Sequence, residues 1–136
     1  MRDALEESSV KDRTHCFSGD CYKAAYHYAE RWSDMMKSGA VENAPLFLVH
    51  GDVVPISGPE KGRRINHAWV EVGEDAWEVS NEQSLRYAKS DYYRGFQARD
   101  RVRYPFRDAQ FEYAKSMHYG PWDTDSAEPD VKVIPE

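Results

Sequence analysis

Apolar residues recur at three- and four-residue steps through Cys21, Ala24, Ala25, Tyr28, Ala29, Trp32 and Met35/Met36. That is the period of a helix with one buried face. Ser18-Gly19-Asp20 supplies cap chemistry ahead of it, and Gly39 closes it. After Pro45 the pattern changes. Leu46-Phe47-Leu48-Val49 has strand character and is followed by Gly51-Asp52 and Val53-Val54-Pro55-Ile56, which together read as a strand bulged or turned at Gly51. Residues 57–64 are too rich in Gly, Pro and charge to be anything but loop. Ile65 to Val72 and Ala76 to Ser80 read as the two strands of a hairpin. A further helix is expected to start at Asn81 or Ser84, with Tyr87, Tyr92, Tyr93 and Phe96 as packing aromatics, and a last helix over 108–118. The expected organisation is a polar lead-in over 1–14, one domain over 15–120 and an acidic tail over 121–136. In the tail, Trp122 of the Gly120-Pro121-Trp122 turn anchors the last helix.

The hairpin decides which residues share a face. With Gly73-Glu74 as a two-residue loop, Gly first as a type II′ turn requires, Val72 pairs with Asp75. One face then carries Ala68, Val70, Val72, Trp77 and Val79, wholly apolar, and the other His67, Trp69, Glu71, Glu78 and Ser80. A three-residue loop would mix both faces, because a one-residue slip reverses every side chain. The first register makes Glu78 the diagonal neighbour of His67. The second would set Asn81 opposite the imidazole. Clean segregation favours Glu78.

These residues suit one kind of chemistry. Cys21 stands at a helix start, where unpaired N–H groups and the helix dipole stabilise a thiolate. A strand histidine with a carboxylate beside it can be held in one tautomer and take the thiol proton. The backbone N–H of Cys21 is placed to meet an acyl oxyanion.

Gly19-Asp20-Cys21-Tyr22-x-x-Ala25, then His67-Ala68-Trp69-Val70-Glu71, then an acid eleven residues after the histidine resembles the transglutaminase-like branch of the papain-like cysteine enzymes. The resemblance covers roughly residues 15–82. It implies an α+β, papain-like core: an N-terminal nucleophile helix packed on a small antiparallel sheet, with further helices C-terminal to it. Carried over position by position, it implies Cys21 as nucleophile, His67 as general base and then acid, and Glu78 as the orienting group. Asp20, Tyr22, Trp69 and Ser80 are the expected substrate contacts. The implied activity is hydrolysis of a peptide or amide bond, or acyl transfer to an amine, through a Cys thioester and without a cofactor. The family usually has Asp where this chain has Glu78. That departure, and the short 46-residue step from Cys21 to His67, also motivate an alternative: a catalytically inactive module of the same fold that recognises a partner or small ligand.

Composition narrows the remaining classes. With 18 Lys+Arg against 24 Asp+Glu the formal net charge is −6, which disfavours nucleic acid as a partner. No run of eighteen apolar residues exists to span a membrane, and the acidic Met1–Glu7 stretch lacks the apolar core of a secretory signal. A cytoplasmic location is therefore expected, with Cys16 and Cys21 as thiols rather than a disulfide. The mean hydropathy of −0.83 puts the burden of core formation on nine Tyr, five Phe and four Trp. His15, Cys16 and Cys21 fit no standard zinc spacing, so no metal is expected. His50 and His118 read as packing or surface residues. Arg94, Arg99, Arg101, Arg103 and Arg107 form a basic run, expected to be solvated or paired with the acidic tail.

Overall fold

Residues 21, 22, 25, 26 and 29 are all buried, the spacing of one helical face. In the computed structural model, which describes residues 20–80 and 83–123, they lie on α1 (Asp20–Ser38). The helix ends at Gly39, whose φ of +83° takes the left-handed turn. The Gly39 and Ala40 N–H groups bond back to the Met36 and Met35 carbonyls.

The strands are β1 (Leu46–Val53), β2 (Ile65–Val72), β3 (Asp75–Ser80), β4 (Gln83–Ala88) and β5 (Arg99–Pro105). Two more helices, α2 (Lys89–Gly95) and α3 (Phe106–Ser116), flank β5 in sequence. The strands form one antiparallel sheet in the order β4-β3-β2-β1-β5. The chain is therefore an α+β protein. Among the described residues no helix is long and apolar enough to cross a membrane.

Two expectations are corrected. The segment from Ser84 is a strand, not the start of a helix: residues 83–88 alternate half-buried and exposed, and β4 pairs with β3 along its whole length. Asn81 lies outside the described residues. The arginine run is as expected only in part: Arg94 and Arg99 stay largely exposed and Arg101 meets a tail acid, but Arg99, Arg101 and Arg103 sit on β5, an edge strand that the sequence reading did not anticipate. Their charges are met mainly from the sheet: Arg99 by Asp52 and Arg103 by the buried Glu71. Arg101 reaches Asp123, the one acid of the expected tail within the described residues. The expected last helix is present but begins two residues earlier, at Phe106.

Gly51 is the expected bulge. The β1–β5 register shifts between His50 and Gly51, and a Cβ on Gly51 would lie 2.0 Å from the Arg99 carbonyl oxygen. The hairpin follows the two-residue-loop register, with Val72 opposite Asp75, Glu71 opposite Ala76 and Val70 opposite Trp77. Gly73 has φ +58° and Glu74 has no positive φ, as a type II′ turn requires.

Both faces of the sheet are covered. On one, Leu48, Ala68, Val70 and Val72 pack against Cys21, Tyr22, Ala25, Tyr26 and Ala29 of α1, with Phe106, Ala109 and Trp122 completing the core. On the other, Val49, Val53, Trp69 and Ala76 pack against Tyr92 and Phe96. The hairpin face expected to be polar is thus an interior one, roofed by α2.

Candidate active site

The β2–β3 ladder is short. Among the described residues it ends at Val70–Trp77, although β2 stays paired with β1 to Ile65 and β3 stays paired with β4 to Ser80. The sheet therefore parts between residues 67–69 of β2 and 78–80 of β3. His67 and Glu78 face each other across that split. His67 Nε2 lies 2.9 Å and 3.0 Å from the two carboxylate oxygens of Glu78. The extra methylene of Glu over Asp gives the carboxylate reach where the strands no longer hold it close.

The first turn of α1 delivers Cys21 to the same place. Its side chain hydrogen-bonds His67 and acts on it electrostatically. Nε2 is engaged by Glu78, which leaves Nδ1 as the nitrogen that can face the sulfur. Nδ1 has no partner of strict hydrogen-bond geometry, so the thiol–imidazole contact is loosely aligned, as resting catalytic pairs often are. All three side chains are interior: Cys21 is 1% exposed, His67 2% and Glu78 5%. Burial alone would lower the His67 pKa. The Glu78 carboxylate, and after it Cys21, outweigh that penalty and raise it to about 10. The ring is then an imidazolium at neutral pH, held between a carboxylate and a sulfur.

The other expected site residues fall differently. Trp69 is fully buried beside His67, ring centroids 6.2 Å apart, and donates its indole N–H to Glu71. It walls the imidazole on the α2 side; as a direct substrate contact it is corrected, because α2 and its aromatics cover it. Tyr22 is also buried, edge-on to His50, and its phenol oxygen has no hydrogen-bond partner among the described residues. Burial foremost raises its pKa. Asp20 opens α1 and Ser80 closes β3, so both backbones stand at the same end of the sheet as the split. Asn81, His15 and Cys16 lie outside the described residues.

His50 is fully buried in mid-strand, enclosed by Tyr22, Tyr104 and Trp122, as a packing residue rather than a rival base. His118 is exposed and accepts the Gly120 N–H. Two features escaped the sequence reading. One is Tyr92 of α2, whose hydroxyl donates to Glu78 Oε1 at 2.7 Å. The other is a groove of about 380 Å³ between α1 and the β3–β4 hairpin, lined by Ala24, Tyr28, Arg31, Val79, Gln83 and Ser84 among others. Ala24 is one helical turn from Cys21, and Val79 adjoins Glu78. A tyrosine brought in by helix docking leaves no local sequence signal.

No family model, curated protein or solved structure matches the chain.

Proposed function

We propose that the chain is a cysteine-dependent hydrolase or acyltransferase of papain-like, transglutaminase-like architecture, acting on a peptide or amide bond in the reducing cytoplasm. The observation that carries this reading is the meeting of Cys21, His67 and Glu78, from three separate elements, at a split in the sheet. A thiolate opposite an imidazolium is the resting form such chemistry needs.

In the proposed reaction the Cys21 sulfur attacks the substrate carbonyl carbon and the carbonyl π electrons move to oxygen. The Cys21 backbone N–H, which has no intrahelical acceptor in the first turn, stabilises that oxyanion. As the tetrahedral species collapses, the C–N bond breaks and His67 gives its proton to the departing amine, leaving a Cys21 thioester. Neutral His67 then takes a proton from water or an acceptor amine as it attacks the thioester carbonyl, the C–S bond breaks, and the Cys21 thiolate leaves opposite the re-formed imidazolium. Glu78 holds the ring and balances its charge throughout.

Alkylation by iodoacetamide near neutral pH tests the proposal in the full chain. Cys21 should react faster than Cys16, and His67→Ala should remove that advantage. Equal rates, or no effect of His67→Ala, overturn it. The 1% exposure of Cys21 favours a second reading, a non-catalytic module keeping the same fold. On that reading Cys21→Ser leaves the biological effect of the protein intact; on the first it abolishes it.

A further inference from the structure

Glu78 is held from two sides. Across the strand split its two oxygens meet His67 Nε2, and from α2 the Tyr92 hydroxyl donates to Oε1 at 2.7 Å. Tyr92 is fully buried on α2, and its ring is fixed by Trp69, Tyr87 and Phe96, with centroids 5.3, 5.7 and 5.0 Å away. A tyrosine packed this way has little rotamer freedom, so its hydroxyl is a fixed point for the carboxylate. Fixing is needed here because the backbone does not provide it: among the described residues no ladder pair joins the two strands beyond Val70–Trp77. A glutamate also has one more rotatable bond than the aspartate usual in the resembled family. Left to itself it would sample rotamers in which only one oxygen, or neither, addresses the imidazole.

We infer that Tyr92 is a positioning residue for the Cys21–His67–Glu78 site, pinning the Glu78 carboxylate so that both its oxygens face His67. The inference rests on the proposed function for its purpose, but not for its test. It also makes the docking of α2 a condition of the site's charge state. The charged and titratable groups around the ring are Glu78 from β3 and Cys21 from α1. Tyr92 stands behind Glu78. Further along β2, Glu71 is met by Arg103 and lies near Lys89.

The experiment is a titration of His67 by long-range proton–nitrogen NMR on the full-length chain labelled in its histidines, with His67→Ala to assign the signal. In Tyr92→Phe the freed carboxylate spends less time on the ring, so the imidazolium should lose its proton about one pH unit lower than in the unaltered protein. Phe96→Leu, which loosens the same aromatic packing without touching Glu78, should leave the His67 titration in place. An unchanged titration in Tyr92→Phe, or an equal shift in Phe96→Leu, overturns the inference. Should Tyr92→Phe fail to fold, the Tyr92 Cζ resonance of the unaltered protein must follow the His67 titration, and a resonance that does not respond overturns it as well. None of these readings uses turnover or alkylation, so a failure here is distinct from a failure of the proposed chemistry.

Discussion

Both carboxylate oxygens of Glu78 lie within 3.0 Å of one nitrogen of His67, although the ladder joining their two strands ends before either residue is reached. The contact is between side chains alone, across an opening in the sheet, and it is buried. Its energetic consequence has a definite sign. A histidine whose pKa rises from 6.5 to about 10 on folding keeps its proton in the folded state after the unfolded chain has lost it. The stability it contributes is complete below about pH 6.5 and is lost as pH rises toward 10.

Glu78→Gln should therefore do two things. Removing one partner of a buried ion pair should cost on the order of 3 kcal/mol at pH 7. It should also flatten the decline in stability between pH 6.5 and 10, because only Cys21 is then left to raise the His67 pKa. Urea unfolding of the variant and the unaltered protein across that range measures both. A parallel decline in the two proteins would mean that His67 is not the titrating group. Tyr22 and Tyr93, whose pKa values rise chiefly through burial, act only above about pH 10.

Gly51→Ala should destabilise the protein by about 2–3 kcal/mol, the upper part of the range for overpacking a tight site. The added Cβ would lie 2.0 Å from the Arg99 carbonyl oxygen and 3.0 Å from Cη2 of Trp69. Backbone carbonyls cannot swing aside as a flexible side chain can, so β5 must move away from β1. Thermal unfolding should show the loss, and a variant as stable as the original would exclude the bulge as a close-packed junction.

How much of this was legible depends on where each residue's partner lies in the chain. The hairpin register was legible because only one turn length sorts Ala68, Val70, Val72, Trp77 and Val79 onto one face, and the structure has that register. The Gly51 bulge was visible as a glycine inside an apolar run. β5 was not, because Arg99, Arg101 and Arg103 read as a charge run until Asp52 and Glu71, about fifty and thirty residues away, are known to receive them. The alternation of Leu85 and Tyr87 did carry a strand signal in β4, but the nearby polar residues read as a helix cap. The face of His67, Trp69 and Glu71 reads in the sequence as the polar side of the hairpin. It is interior because α2 closes over it, a docking that no local pattern encodes.

Glu71 is the test of that closure. It is buried, takes hydrogen bonds from the Trp69 indole and the Tyr93 hydroxyl, and lies 2.9 Å from Arg103. Glu71→Ala leaves a buried indole N–H, a half-buried phenol and a half-buried guanidinium without their acceptor, and should cost about 3–5 kcal/mol. Because Tyr93 is on α2, amide hydrogen exchange should show α2 opening before the rest of the sheet. Exchange that rises evenly across all elements would contradict a local role for Glu71.

The opposite pH limb belongs to His50. Its ring is fully buried among Tyr22, Tyr104 and Trp122, and neither nitrogen has a hydrogen-bond partner among the described residues. Burial, foremost, lowers its pKa to about 4; Asp123 pulls the other way and Arg101 adds to the lowering. Here the unfolded chain gains a proton that the folded chain resists, so stability falls as pH drops from 6.5 toward 4. The full effect of a shift of this size is about 3 kcal/mol. His50→Phe keeps the ring contacts and removes the titration, so it should lose markedly less stability than the unaltered protein between pH 6.5 and 4. Together with His67 this places the most stable pH for the histidine contribution near 6.5, with each limb removable by its own substitution. Urea midpoints measured for His50→Phe and Glu78→Gln across pH 4–10 separate the limbs, and a variant that alters both would show that the two rings are not independent.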